Sequence, residues 1–294
     1  IHPHHRTRES GVRGDIDRSP VKIVLALILD TFQEARARWL FWGLFALSSL
    51  LIAIFLFVLR IDVVQGAVSL MGIERTTHAV SDIQKFVNRS YAWVSIFLYV
   101  WGTFLAIFAS AGLIPSVLEA GRISLLLSKP LTRTMLLMGR YLGNVFIVFI
   151  NHVYLICSIW VVIGIKTNIW ETRFLLAIPI SVFIFAVLLC VVVLIGVVFE
   201  SPALSVMAPA ALMLISTILA QRQIVIRLLD SDWSRQLWLA FYWIVPKFFD
   251  LGSAMKQIIE YDHEANWITP VWTSAVFGLV VLSSAIYVFQ KRDF

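Results

Sequence analysis

The most apolar stretch of this chain is residues 174–199, FLLAIPISVFIFAVLLCVVVLIGVVF, which contains no charged side chain. A helix needs about 20 residues to cross roughly 30 Å of hydrocarbon, so this stretch is long enough to span a bilayer. In lipid it must be helical, because each unpaired backbone N–H or C=O group would cost several kcal/mol. The stretch therefore predicts a transmembrane helix and an all-α fold class.

Five further stretches share this apolar, uncharged character. They run over residues 39–59, 91–113, 141–165, 202–221 and 267–290. With residues 174–199 they predict a polytopic membrane protein with six transmembrane helices. The composition agrees, because 60% of the 294 residues are hydrophobic and 14% are charged, and the mean hydropathy is +0.86. An ordinary soluble domain is about half apolar and a quarter charged.

These stretches divide the chain into a cytoplasmic N-terminal segment at residues 1–38 and a six-helix transmembrane domain at residues 39–294. Within the domain we expect a cytoplasmic segment at 114–133 and external segments at 60–90 and 222–266. We expect no cleavable signal peptide, because the first apolar stretch lies behind the basic, polar residues 1–38. Six crossings return the chain to the side on which it started, so both termini are expected on one side of the membrane.

The distribution of Lys and Arg indicates which side is cytoplasmic. Basic residues on the terminal side are Arg6, Arg8, Arg13, Arg18, Lys22, Arg36, Arg38, Arg122, Lys129, Arg133, Arg140, Lys291 and Arg292. The basic residues of 222–264 are balanced by acidic ones. The positive-inside rule therefore predicts a multi-pass protein of the cytoplasmic (inner) membrane with both termini in the cytoplasm. The net charge of +6 is placed to meet anionic lipid headgroups of the bilayer, and we expect no nucleic-acid binding.

An amphipathic helix is predicted before the first crossing. Ser19 and Pro20 are typical of a helix start, a capping side chain followed by a residue suited to the first helical position. Apolar side chains then recur at helical spacing at Val21, Val24, Leu25, Ile28 and Phe32. We expect this helix to lie in the cytoplasmic headgroup layer. The alternative is a helix packed on a soluble core.

The external segment 222–266 is rich in tryptophan. It holds Trp233, Trp238 and Trp243, and Trp267 follows directly. Such rings favour the membrane interface. The apolar run 237–245 is too short to cross, and Pro246 breaks it, so we expect short interfacial or re-entrant helices here. Anchoring at the interface is the interpretation we favour, and a substrate gate is the alternative.

The segment after the second crossing carries the most functional information. Ser116 and Glu119 are spaced as a capping box, which predicts the start of a short helix. Glu119 and Arg122 share one face of that helix, and apolar residues cover another. Pro130 then forces an extended turn at Lys129. These features predict a short amphipathic helix lying across the cytoplasmic membrane surface.

This part of the chain resembles the type-2 ABC transporter permeases, the membrane subunits of ABC exporters. Members of that family show an acidic residue, a nearby glycine, a leucine-rich run, a Ser-x-Pro turn, an arginine and a Gly-Lys/Arg-Tyr-x-Gly motif. The matching residues here are Glu119, Gly121, 125–127, Ser128-Lys-Pro130, Arg133 and Gly139-Arg-Tyr-Leu-Gly143. The six-helix plan, the amphipathic N-terminal helix and the Lys291-Arg-Asp-Phe294 ending also fit, but only the central motif is specific.

The resemblance implies a function and a set of partners. Two permease subunits, identical or different, would form the membrane path, and a separate cytosolic ABC ATPase would dock on the short helix after the second crossing. The residues then implied at this coupling surface are Glu119, Gly121, Arg122, Ser128, Pro130 and Arg133. ATP would be bound by the partner ATPase. Without the resemblance, an ordinary solvated loop would be an equally good interpretation of these charges.

No catalytic motif accompanies these residues. A phosphate-binding loop ending in Gly-Lys-Ser/Thr is absent, as are His-Glu-x-x-His and Gly-x-Ser-x-Gly. We therefore expect no enzyme activity, no catalytic residue, no metal site and no cofactor in this chain, with ATP hydrolysis in a partner. The two cysteines, Cys157 and Cys190, lie in apolar runs and are expected to be small buried hydrophobes.

Two further groups of residues are candidates for packing or transport. Gly139 and Gly143 have the GxxxG spacing that allows helix backbones to approach closely, and we favour packing within the chain over a dimer contact. Asn151 and His152 lie inside an apolar run, where polar groups are often functional. They are candidates for a transport path, although an interhelical hydrogen bond is the interpretation we favour.

Three hypotheses about function follow. The first is an exporter permease that moves an unidentified substrate with energy from a cytosolic ATPase. The second is a membrane anchor or assembly subunit that binds partners without moving cargo. The third, an intramembrane enzyme, needs two facing buried ionisable groups, and His152 is the only candidate for one.

Overall fold

The computed structural model describes residues 28–29, 31–33, 36, 39–58, 61–64, 67–70, 73–76, 80–112, 132–228, 231–261 and 266–291. The helices of this part of the chain are α1 (Trp39–Val58), α2 (Val80–Ala111), α3 (Arg133–Thr167), α4 (Ala177–Phe199), α5 (Pro202–Ala220), α6 (Arg222–Leu228), α7 (Asp232–Ile244), α8 (Phe248–Ile259) and α9 (Ile268–Lys291). A 3₁₀ helix, Thr172–Leu176, precedes α4.

Five helical stretches in the described ranges are long and apolar enough to cross a membrane. They are Gln84–Ser110, Arg133–Thr167, Thr172–Phe199, Pro202–Ala220 and Ile268–Lys291. The chain is therefore a multi-pass membrane protein, as predicted. The predicted crossing at residues 39–59 corresponds to α1, whose apolar part, Phe41–Phe57, is shorter than these five.

The ends of the helices follow local capping. The Ser201 hydroxyl accepts the Leu204 N–H at 3.5 Å, with Pro202 in the first turn, so α5 begins where it is predicted. At the start of α3 the Thr132 hydroxyl accepts the Met135 N–H at 3.2 Å. That cap starts α3 well before residue 141, the predicted start of this crossing, because a charged first turn can extend out of the hydrocarbon.

Contacts between helices fix their relative directions. Helices α1 and α3 run the same way, since Ser48 meets Asn151 and the Lys166 ammonium donates to the Leu56 carbonyl at 2.6 Å near the end of both helices. Helix α2 runs opposite to α3, since the Tyr91 hydroxyl donates to the Ile169 carbonyl just beyond the end of α3 at 3.0 Å, whereas Gly102, further along α2, lies against His152 in the middle of α3. The bundle therefore has two ends.

We name these ends after the turns found there. The Glu171 end holds the turn between α3 and the 3₁₀ helix, and the Glu200 end holds the turn between α4 and α5. At the Glu200 end the start of α3 is tied to the end of α9. There the Arg133 guanidinium donates to the Gln290 carbonyl at 3.3 Å, and the Gln290 amide donates to the Thr134 hydroxyl at 2.8 Å.

A small antiparallel sheet follows α1 and precedes α2 in the chain. Its strands are β1 (Ile61–Val64), β2 (Ala67–Leu70) and β3 (Ile73–Thr76), in the order β1-β2-β3. Ile61 pairs with Leu70, and Ala67 pairs with Thr76. The all-α prediction thus describes the membrane-spanning part of the chain, and it missed this sheet within the predicted external segment 60–90.

Helix α4 is the centre of the bundle. It packs against α2, α3, α5 and α9, and Ser181, Phe185, Leu188 and Val192 along it are fully buried. Lipid tails are as apolar as leucine, so close packing rather than escape from water holds such helices together. Small residues serve this packing, and a Cβ added at Gly278 of α9 would lie only 3.4 Å from a methyl of Val187.

Candidate functional site

The segment between α5 and α9 forms a helical hairpin, Ser231–Tyr261. Helix α7 has 13 residues and α8 has 12, lengths of about 20 and 18 Å, so neither can cross the hydrocarbon alone. Val245 is extended and Pro246 follows, which places the turn between the two helices at the predicted break. Both ends of the hairpin adjoin segments at the Glu171 end.

Contacts along α2 give the depth of the hairpin. Helix α8 runs opposite to α2, as three contacts show. Phe248 stacks on Tyr99 with ring centroids 4.8 Å apart. Further along α8 the Lys256 ammonium lies 4.3 Å from the Trp93 ring centroid, and at its end Glu260 lies 3.9 Å from Arg89. Tyr99 is about 12 Å further along α2 than Tyr91, which contacts the turn at the Glu171 end. The start of α8 therefore lies deep inside the bundle.

The backbone at this apex is bonded by side chains of three spanning helices. The Lys247 N–H donates to the Ser274 hydroxyl of α9 at 2.9 Å, and the Phe249 N–H donates to the Ser216 hydroxyl of α5 at 3.3 Å. The Tyr99 hydroxyl of α2 donates to the Phe248 carbonyl at 2.8 Å. Non-helical backbone is tolerated at membrane depth only where protein supplies such partners, so the spans and the hairpin form one unit.

A charged cluster occupies the same apex. The side chain of Lys247 is buried, and its ammonium lies 3.4 Å from the ring centroid of Tyr242 and 5.7 Å from that of Trp243. Among the described residues no acceptor bonds this ammonium. Tyr242 donates its hydroxyl to an Asp250 carboxylate oxygen at 2.7 Å, and the Arg222 guanidinium lies 4.8 Å from the same ring centroid.

The outer end of α8 is clasped by the turn after α3. Glu171 is buried, and its carboxylate accepts the Tyr261 hydroxyl at 2.6 Å and the Arg173 N–H at 3.0 Å. The Arg173 guanidinium lies 3.8 Å from the Tyr261 ring centroid and donates to the Ile258 carbonyl at 3.3 Å. Because its hydroxyl donates to a carboxylate, the pKa of Tyr261 is raised. The hairpin is therefore held at both its apex and its outer end.

Most of the coupling residues predicted from the sequence lie outside the part of the chain that the structure describes. Glu119, Gly121, Arg122, Ser128 and Pro130 lie outside the described residues. Arg133 is described, and it joins the start of α3 to the end of α9 at the Glu200 end. It is thus on the opposite end of the bundle from the hairpin.

The two predicted packing glycines lie on a buried part of α3. A Cβ added at Gly143 would lie 2.6 Å from the Cβ of Thr31, which is helical and fully buried. Phe32, next to Thr31, meets Phe146 of α3 edge to face with centroids 6.5 Å apart. The N-terminal segment thus packs on α3 at Gly143, a contact within the chain.

Asn151 and His152 are buried between helices. The Asn151 amide donates to the Ser48 hydroxyl of α1 at 3.1 Å. His152 bonds through Nδ1 to the Val148 carbonyl of its own helix at 3.0 Å, and a Cβ added at Gly102 of α2 would lie 2.9 Å from its Nε2 atom. These contacts tie α3 to α1 and α2, and among the described residues Nε2 has no hydrogen-bond partner.

Sequence reasoning missed Lys247 and Glu171. Lys247 follows Pro246 inside an apolar run, and an ionisable residue at membrane depth is by itself a signal for a functional site. Interfacial or re-entrant helices are predicted at this point, but the prediction does not single out Lys247. Glu171 stands between two apolar stretches in a position typical of an ordinary solvated turn, and nothing in the sequence reveals its contact with Tyr261.

A metal site is not formed by the described ranges, in which no group of three His, Cys, Asp or Glu side chains could hold an ion. Compared with known proteins, the chain matches no protein-family model and no curated protein sequence. The likeness to type-2 ABC permeases therefore rests on the residues of segment 114–143 and on the helical plan.

Proposed function

We propose that this chain is the permease subunit of an ABC exporter, driven by a separate cytosolic ATPase. One observation carries the proposal. Helices α2 and α3, which are joined by the predicted coupling segment, are also two of the helices that hold the re-entrant hairpin at the opposite end. Tyr99 and Arg89 of α2 contact α8, and the turn after α3 clasps Tyr261.

The arrangement suggests how movement would be transmitted. A partner that pushes the segment between Ala111 and Arg133 displaces α2 and α3 at the Glu200 end. Both helices are long and continuous, so they act as rigid levers. Their far ends carry the hairpin contacts, and a displacement there would loosen or tighten the plug that α8 forms between α2, α5 and α9. This gives the hairpin the role of a substrate gate.

The same proposal includes the number of crossings and the side of the membrane on which each end of the bundle lies. Helix α1 also crosses the membrane, which brings the number of crossings to six. The Glu200 end is cytoplasmic, and the hairpin enters from the exterior of a cytoplasmic membrane. Arg133, Arg140 and Lys291 near the Glu200 end fit this orientation under the positive-inside rule. Helical residues at 28–29, 31–33 and 36 fit an amphipathic helix on the cytoplasmic surface.

The second partner is another permease subunit, identical or homologous. Large apolar side chains of α1 and α7 are exposed on the single chain, among them Phe57 and Trp233. Lipid or a second subunit covers such faces in a membrane. Two subunits would place two hairpins around one central path, and the cargo remains to be identified.

Association with an ATPase is the first test. The tagged chain is purified from native membranes, and copurifying ATPases are identified by mass spectrometry. Glu119→Ala and Gly121→Leu are expected to abolish that association, because both would disturb the coupling helix. The matched control is Glu200→Gln, which changes an acidic residue of another turn at the same end. Association that survives both coupling variants would contradict the proposal.

Reconstitution separates a permease from a non-transporting anchor. The complex is placed in proteoliposomes, and ATPase activity is measured while candidate lipids, glycans and peptides are added. A permease is expected to show ATPase activity that responds to at least one cargo. An anchor would leave the activity indifferent to all of them.

A further inference from the structure

An elongated apolar groove opens beside the hairpin at the Glu171 end. Its volume is about 490 Å³, within the range of small-molecule sites. Its walls are α4 with the preceding 3₁₀ helix, then α8, then α9. The residues used below are Leu176, Phe183, Ala254, Ile258 and Trp267. Leu176 and Phe183 are seven positions apart, so the groove extends about 10 Å along the helices.

A cation stands at the outer end of this groove. Arg173 and Leu176 are three positions apart in the 3₁₀ helix, so their side chains eclipse each other on one face. The Arg173 guanidinium also donates to the carbonyl of Ile258, another wall residue. This bond uses one of its five N–H donors. The guanidinium also stacks on the Tyr261 ring, 3.8 Å from its centroid, and a stacked guanidinium keeps the N–H groups at its edge able to bind an oxyanion.

The surroundings identify the kind of occupant. The groove lies between the membrane-spanning helices α4 and α9 and the hairpin helix α8, and Leu176 and Trp267 are exposed at its outer end, 40% and 50% respectively. A tryptophan there is typical of the headgroup level of a bilayer. A guanidinium is well suited to bind a phosphate through two hydrogen bonds. An apolar slot with a cation and an interfacial tryptophan at its mouth has the chemistry of a phospholipid.

We propose that this groove binds one phospholipid, with an acyl chain between α4, α8 and α9 and the phosphate at Arg173. The lipid would fill the space beside α8 and bridge the hairpin to the central helix α4. The inference depends on the membrane location of the chain and not on its role as an exporter.

A second cavity on the other side of α8 provides a matched control. It has a volume of about 340 Å³, and Thr217 and Gly252 are among its lining residues. The cation nearby is Lys256, one turn above Gly252, and its charge is balanced by Glu260 at 3.9 Å. An ammonium also lacks the planar pair of N–H groups with which a guanidinium binds a phosphate, so a phosphate would be held less well there than at Arg173.

Native mass spectrometry of the full, delipidated chain in detergent tests the proposal. Palmitoyl-oleoyl phosphatidylglycerol is titrated in, and dioleoylglycerol, which lacks the phosphate, is titrated separately. The variants are Ala254→Trp, which fills the groove, Arg173→Gln, which removes the cation, and Thr217→Trp, which fills the control cavity. Thermal unfolding of each variant verifies that it is folded.

The wild-type chain is expected to bind one phosphatidylglycerol molecule more tightly than any further lipid molecule. Ala254→Trp should lose it, Arg173→Gln should bind it about tenfold more weakly, as expected for one charge-assisted contact, and Thr217→Trp should bind it normally. Dioleoylglycerol should bind the wild type as weakly as phosphatidylglycerol binds Arg173→Gln.

Three results would overturn the proposal. The first is that Ala254→Trp and Arg173→Gln are both folded and still bind one phosphatidylglycerol as tightly as the wild type. The second is loss of a dimer in Ala254→Trp without a change in lipid binding, which would assign the groove to a second copy of the chain. The third is that the wild-type chain binds dioleoylglycerol and phosphatidylglycerol with equal affinity, which would mean that no phosphate is bound at Arg173.

Discussion

Polar groups enter this apolar bundle in two regions that differ in kind. At the hairpin apex around Lys247, the backbone leaves the helical conformation and a charged side chain is buried with it. At Asn151 and His152, the backbone stays helical and the side chains are neutral or bonded locally. The first region draws partners from α2, α5 and α9, whereas the second draws one hydroxyl from α1.

The difference shows what each region can do. An apex that depends on hydroxyls of three separate spans is sensitive to the relative positions of those spans, as a gate would have to be. A continuous helix bonds its own backbone, so Asn151 and His152 only fix how α3 lies against α1 and α2. Three changes would sharpen or break this distinction.

The largest effect is expected at the apex, from Ser216→Ala combined with Ser274→Ala. Each change leaves a buried N–H, of Phe249 or Lys247, without its acceptor, at a cost of about 1–3 kcal/mol. Thermal unfolding in detergent should show a clear fall in stability. The control is Ser283→Ala with Ser284→Ala on α9, whose hydroxyls donate to carbonyls of their own helix. Equal effects in the two pairs would refute the special role of the apex.

A smaller loss is expected from Gly102→Ala at the crossing of α2 and α3. The new methyl would lie 2.9 Å from His152 Nε2, and the ring is held by its bond to Val148, so overpacking should cost about 1–3 kcal/mol. Gly43→Ala is the control, because nothing lies within 4 Å of a Cβ there. Adding His152→Ala to Gly102→Ala should restore part of the loss, and additive losses would contradict the contact.

The smallest effect is expected from Asn151→Leu combined with Ser48→Ala. Replacing both partners by apolar groups leaves no unsatisfied donor or acceptor, so stability should change by less than about 1 kcal/mol. Cargo-stimulated ATPase activity in proteoliposomes should also be retained. Loss of that activity in a stable variant would place Asn151 in the transport path, against the packing role.

The sequence predicts the spans better than what lies between them. Long uncharged runs leave one option in lipid, so α4 ends at Phe199 and α5 begins at Pro202, where the predicted runs end and begin. Helix α2 begins at Val80 rather than at residue 91, because its polar first part continues the helix beyond the apolar run. Strands of four residues, β1 to β3, are too short for a span-length window to detect.

The candidate site was predictable only in part. Pro246 and the tryptophans predict the break and an interfacial or re-entrant pair. The depth of the apex depends on Tyr99, Ser216 and Ser274, which are far apart in the chain and unremarkable singly. The clasp between Glu171 and Tyr261 likewise joins residues 90 positions apart, and no local pattern announces such a pair.

Sidedness of the hairpin tests the central claim most directly. In a chain with Cys157 and Cys190 replaced by alanine, single cysteines are placed at Ser231, Asn266 and Lys291 and exposed to a membrane-impermeant maleimide in intact cells. A re-entrant hairpin predicts labelling of the first two from outside, and of the third only after permeabilisation. Labelling of Ser231→Cys and Asn266→Cys from opposite sides would mean that the segment crosses the membrane, and the account of the gate would fail.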